Sequence, residues 1–203
     1  MRYGPEQSEK TKQRVVKIAA AQIRKRGPDN VGVADVMKRA GLTHGGFYAH
    51  FASKDDLIAA AVSRMFDESQ LRHREWTAGK PKPEALRAFI NAYVSAVHRD
   101  NAQGGCAVSA LSSDIHRQSG KVRAIYDACV TRLVNSIADL LPDDDETKNR
   151  TLAVSMLAEM TGAVSAARAV SDPKLSDEIL ASARRSLRAR AGVPPSQHEG
   201  KAK

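Results

Sequence analysis

An all-α fold is predicted for this 203-residue chain by three observations. Apolar residues recur at three- and four-residue spacing along nearly the whole length, and no segment alternates for long as a half-buried strand does. Glycine and proline gather at a few points that separate the periodic runs. About nine helices are expected, divided into an N-terminal head of three helices over residues 8–68, a larger helical body over 69–191 and a tail over 192–203. The tail contains Gly, Pro and Lys and is expected to be disordered.

The first helix is expected from about Ser8 to Arg26, with Val15, Val16, Ala19, Ala20 and Ile23 on its buried face and Gly27-Pro28 as its stop. A short amphipathic helix follows, placing Val33, Val36, Met37 and Ala40 on one side and Lys38 and Arg39 on the other. Gly41 suits the left-handed turn that ends a helix, and Thr43 can cap another through its hydroxyl. In that next helix Phe47 and Phe51 are four apart and face the core.

Ser53 and Asp56 form a capping-box-like start for a long helix with apolar pairs at Leu57/Ile58, Ala61/Val62 and Met65/Phe66. The breaker run Gly79-Lys80-Pro81-Lys82-Pro83 ends that region. A helix with Leu86, Phe89, Ile90, Tyr93, Val94 and Val97 then runs to the break at Asn101–Gly105. Another is expected from Cys106 to about Gln118, burying Val108, Leu111 and Ile115, and a longer one from Lys121 to Leu141, stopped by Pro142. Asp143-Asp144-Asp145-Glu146 places negative charge at the start of a helix over 146–170, and a last helix covers about Leu175 to Arg190.

Helix, glycine turn, helix over residues 32–51 is the outline of a helix-turn-helix. Gly45 and Gly46 each cost a helix roughly 1 kcal/mol against alanine, so packing or a close-approaching partner must offset them. By residue type and position, Thr43, His44, Gly45 and Gly46 are candidates to approach base edges, and Tyr48, His50 and Lys54 to contact phosphates. The charge agrees. Residues 1–54 hold eleven Lys or Arg against four Asp or Glu, most of the net +9, which suits a polyanion bound largely through phosphates.

At Gly41, Tyr48-Ala49-His50-Phe51, Ser53-Lys54 and Leu57 the chain resembles the TetR family of bacterial transcriptional regulators, closely over about residues 8–70. Over 75–190 only length and helical pattern agree. The resemblance implies a DNA-binding regulator, a repressor, that binds a palindromic double-stranded operator as a homodimer and responds to a small molecule through its body. Family members often open the second helix with Thr or Ser at the place of Val33, and that hydroxyl's phosphate contact does not carry over. Family members dimerise through their final helices, and here the last two long helices carry small Gly162, Ala163, Ala166 and Ala167. Two reading helices related by a two-fold axis would reach half-sites about 34–36 Å apart; completion of a monomer core is the alternative use of these faces.

Cys106 follows Gly104-Gly105 at a predicted helix start, where amide groups and the helix dipole stabilise a thiolate. It is therefore a candidate redox or electrophile sensor, and its Gly-Cys is similar to that of an electrophile-sensing family member. The other reading is a small buried residue closing the helix start. Trp76, Phe89, Tyr93, Tyr126, Met156 and Met160 are candidates to line an effector pocket or to form plain core. His98 and His116 near Cys106 lack regular ligand spacing, and no metal or cofactor is expected. An enzyme using Cys106 as nucleophile is the alternative function, although no Asp or Glu and His set accompanies it at a catalytic spacing. Nonspecific nucleoid or membrane-surface binding would explain the charge but not the glycine-aromatic motif. No apolar run reaches bilayer length and Met1-Arg2-Tyr3-Gly4-Pro5 opens no signal peptide, so no membrane partner and a cytoplasmic location are expected.

Overall fold

The computed structural model describes residues 5–193, and among them every regular element is helical. The α-helices are α1 (Pro5–Arg26), α2 (Val33–Arg39), α3 (Lys54–Thr77), α4 (Lys82–Tyr93), α5 (Ala96–Asp100), α6 (Ala107–Leu111), α7 (Gly120–Ala138), α8 (Glu146–Ala169) and α9 (Pro173–Arg190). Two 3-10 segments, His44–Ala49 and Ile115–Arg117, lie between them. The chain forms two compact units. Among the described residues the first comprises 5–69 and 102–129, the second 70–101 and 130–193. The head therefore does not stand alone: α6, the second 3-10 segment and the first half of α7 belong with it.

In the first unit α1 buries Val15, Val16, Ala19, Ala20 and Ile23, the face its periodicity predicts. It ends at Gly27, whose φ of +76° favours glycine, and a Cβ there would stand 2.9 Å from the Asp114 carboxylate. Beside this core lies Arg24, only 7% exposed. Its guanidinium donates to the carbonyls of Met65 and Gln103 and, at 2.8 Å, to the Glu68 carboxylate. One buried cation thus ties α1 to α3 and to the segment before α6. Ser53 caps α3 as expected, its hydroxyl accepting from the Asp56 amide at 3.1 Å.

Three expected helices are shorter than their patterns, and in two of them polar side chains take backbone carbonyls at the break. The helix expected through Val97 stops at Tyr93. His98 Nδ1 donates to the Tyr93 carbonyl at 2.6 Å and Arg184 to that of Val94 at 2.6 Å, while the Ser95 hydroxyl caps α5 by accepting from the His98 amide. Val97 consequently lies on the outside, 80% exposed, and not on a buried face. The helix expected over 106–118 is interrupted after Leu111, where Ser109 donates to the Cys106 carbonyl and Ser112 to that of Val108. The helix expected to reach Leu141 ends at Ala138, although Leu141 is buried.

The second unit packs α8 against α9, with α4 and α5 beside them. Asp145 and Asp172 cap α8 and α9 by accepting from amides of the first turn. Gly192, expected to open the disordered tail, instead terminates α9: its amide donates to Ala189, the Val193 amide donates to Arg188, and Val193 is buried. The rest of the tail, 194–203, lies outside the described residues. His73 on α3 lies 4.7 Å from Phe89 and 5.3 Å from Trp76, ring centre to ring centre, and is only 8% exposed. Burial lowers its pKa from 6.5 to about 3, and His98 is likewise lowered to about 4 by burial.

Because an unfolded chain would protonate these imidazoles first, the histidines withdraw stability as pH falls from 6.5 toward 4. The melting temperature should therefore drop over that window, and the drop should shrink in His73→Phe. Glu68→Ala leaves the Arg24 guanidinium buried without its carboxylate and should cost about 3 kcal/mol in urea unfolding.

Candidate nucleic-acid interface

The turn between α2 and the reading segment is closed by backbone bonds that need a glycine. The Gly41 amide donates to the Lys38 carbonyl, the Leu42 amide donates to that of Met37, and Gly41 has a φ of +69°. The start of α2 is not side-chain capped. The capping position is Gly32, one residue before Val33, so neither residue offers a hydroxyl.

The reading segment His44–Ala49 is a 3-10 helix, tighter than the α-helix its spacing suggests. Thr43 occupies the position before it but makes no capping bond through its side chain. Phe47 and Phe51 are 2% and 4% exposed and stack with ring centres 5.4 Å apart, fixing the segment to the head. Outward from this anchor, Thr43, His44 and Gly45 are exposed and Gly46 and His50 half-buried. Tyr48 is 68% exposed and meets the edges of Phe47 and His44.

Nothing within the head requires Gly45 or Gly46. A Cβ on Gly45 would meet no atom within 4 Å, and one on Gly46 would make only ordinary contacts, the nearest at 3.7 Å with Thr43 Oγ1. Packing is thus removed as the reason for two glycines in a row.

Lys54 is exposed at the first turn of α3 and donates to the Asp29 carbonyl at 3.3 Å, with donors to spare. Two carboxylates lie beside it in sequence or space. Asp29 accepts from Gln118 at 2.7 Å, which with Arg117 and Lys54 lowers its pKa, and Asp56 is lowered by Lys121 and Ser53. Both acids are thereby held to the stretch 117–121 and turned from simple surface charges into ties within the first unit.

A model of the tetR family of bacterial regulatory proteins matches residues 15–61, and one of the tetracyclin repressor-like C-terminal domain matches 83–183. The chain belongs to the TetR family. Among relatives, the HTH-type transcriptional repressor KstR2 of Mycobacterium tuberculosis (strain H37Rv) is 29% identical over 90 residues, 44% of this chain and 45% of that one. The uncharacterized HTH-type regulator YerO of Bacillus subtilis is 30% identical over 84 residues, 40% of this chain and 29% of that one. The matches thus span less than half the length of these relatives. A TetR regulator of Chloroflexus aurantiacus superposes with a TM-score of 0.73 at 25% identity over 90% of this chain and 96% of its own. The reduced form of E. coli NemR superposes at 0.76 and 18% identity, covering 89% and 96%.

The TetR chain's other candidate residues are placed differently from the reading segment. Cys106, 3% exposed, precedes the five-residue α6 and forms no disulfide. Phe89, Tyr93, Met156 and Met160 are buried in the second unit, where the Tyr93 hydroxyl lies 3.4 Å from that of Thr161, and Trp76 is half-buried beside His73. Tyr126 belongs to the first unit instead, its ring 5.7 Å from Phe66 and its hydroxyl 3.3 Å from Ser112. His116 is exposed, and no group suited to a metal ion occurs among the described residues. Sequence reasoning missed Arg24 and His73. The signal for His73 was the spacing Met65, Ser69, His73, which continues the buried stripe of α3 with polar residues.

Gly45→Ala is the sharpest check on the exposed glycine. Its unfolding free energy should stay level or rise by up to about 1 kcal/mol, while affinity for selected DNA should fall about tenfold, or ~1.4 kcal/mol. Equal DNA affinity would remove close approach as the reason for glycine.

Proposed function

We propose that this TetR-family transcriptional regulator is a repressor that reads a palindromic operator as a homodimer and is released by a small molecule. The observation that carries the DNA reading is the segment 43–54: glycines with no packing need, an exposed tyrosine and an exposed lysine, all held on a buried Phe47–Phe51 stack. Thr43, His44, Gly45 and Gly46 approach base edges. Tyr48, His50 and Lys54 hold phosphates and set the register.

The homodimer is supported by the outer face of α8. Thr151, Val154, Ser155, Ala158, Gly162, Ala166 and Ala169 are all exposed and all uncharged, Val154 at 50%. Such a face in a chain that is 27% charged is expected where a second copy packs closely. No helix among the described residues is long and apolar enough to cross a membrane.

For control, the second unit's aromatic set of Trp76, Phe89 and Tyr93, with Met156, Met160 and the polar His73, supports a largely apolar effector. An electrophile signal through Cys106, or an enzyme built on it, requires the thiol to be reached, and its 3% exposure supports a packing role.

Lys54→Ala should weaken binding to all DNA sequences alike and lower the slope of log affinity against log salt by about 1. Substitutions at Thr43 or His44 should instead change which sequence is preferred. An unchanged salt slope with altered preference for Lys54→Ala would refute these roles. Native protein should react with iodoacetamide at Cys106 far more slowly than the unfolded chain; equal rates would reopen the sensor reading.

A further inference from the structure

We propose that a recess between α1, α2 and Gln103 in the first unit binds a small organic anion. The recess has a volume of about 420 Å³, within the range of small-molecule sites. Ile18 and Ala21 give it an apolar wall, Lys25, Arg26 and Arg39 give it cations, and no carboxylate lines it.

The observation that points to a ligand is Gln22, which lines the same recess. Both its carboxamide atoms, Oε1 and Nε2, are shut from solvent and have no hydrogen-bond partner. Native proteins leave few buried amides in this condition, because the group loses its water and gains nothing for it. A small rotation toward a bound oxygen would satisfy it.

The cations have an ordinary explanation that goes only part of the way. Lys25, Arg26 and Arg39 stand in the last turns of α1 and α2, where positive charge complements the helix dipole. The dipole does not explain why they converge on one concavity lined by a residue whose carboxamide is shut in and unsatisfied. Nor are they used up: Lys25 and Arg26 make no ion pair among the described residues, and Arg39 meets Asp35 through Nε alone, at 3.1 Å. Its two terminal nitrogens remain to grip a carboxylate or phosphate in the bidentate manner.

A ligand with a compact hydrocarbon body and one anionic group fits this lining better than a DNA strand does. The DNA backbone has no use for the apolar wall or for a shut-in carboxamide. The site would also have a consequence. Gln103, on its rim, offers its carbonyl to Arg24 at 3.2 Å, so an anion bridging α1, α2 and residue 103 would stiffen the same junction that Arg24 holds. This inference goes beyond operator reading and can be tested without DNA.

Titration calorimetry of the full chain with phenyl phosphate, benzoate and neutral benzyl alcohol tests it. At least one aryl anion should bind once per chain and benzyl alcohol should not; the stronger anion identifies phosphate or carboxylate as the natural group. Arg39→Ala, on the surface, and Gln22→Leu should each weaken that binding at least about tenfold. Gln22→Leu should also keep or raise the melting temperature, since it removes the unsatisfied amide. Absence of binding by both anions, or unchanged binding in both variants, overturns the proposal. So does the result that Lys25→Ala and Arg39→Ala flatten the salt dependence of DNA binding while leaving anion binding intact, which would assign these cations to DNA phosphates.

Discussion

Arg24 is a permanent cation held at 7% exposure, and the first compact unit is arranged so that it is never left uncompensated. A guanidinium cannot shed its charge when buried, so it must be matched by a carboxylate and by carbonyl oxygens at fixed positions. Glu68 supplies the charge, itself 2.8 Å from Arg64, and Met65 and Gln103 supply the carbonyls. Three segments far apart in sequence are therefore bound to one geometry. Displacing any of them uncovers a buried charge.

That constraint gives the reading segment its frame. α1 carries the core against which α2 and the Phe47–Phe51 stack are set, and α3 begins immediately after them. The ties of Asp29 to Gln118 and of Asp56 to Lys121 extend the frame to the stretch that follows α6. Residues 102–129 are thus part of the unit that carries the helix-turn-helix, although the family's C-terminal domain model covers them.

Much of this was legible in the chain. The 3.6-residue periodicity gave α1, α3, α8 and α9 nearly to their ends, because long helices average many weak preferences. Gly27, Gly41 and the Ser53 cap were readable because each has a single backbone purpose. The breaks at Val94 and after Leu111 were not, since neither carries glycine or proline. They depend on Arg184, His98, Ser109 and Ser112 claiming carbonyls, contacts that in the case of Arg184 span 90 positions. For the site, the residue types at 43–54 were enough to propose a reading surface, while the 3-10 geometry and the missing Thr43 and Val33 caps depend on backbone detail. For Cys106 the neighbours Gly104-Gly105 left two readings open, a reactive thiol and a small residue closing a helix start, and the fold buries it.

In the proposed function, segment 43–54 of two copies reads one operator. Selection of bound sequences from a random double-stranded DNA pool by the full chain tests it most directly. A palindrome should be enriched, with half-sites centred about one helical turn, or a small multiple of it, apart. Enrichment of a single asymmetric site, or of no sequence at all, would contradict it.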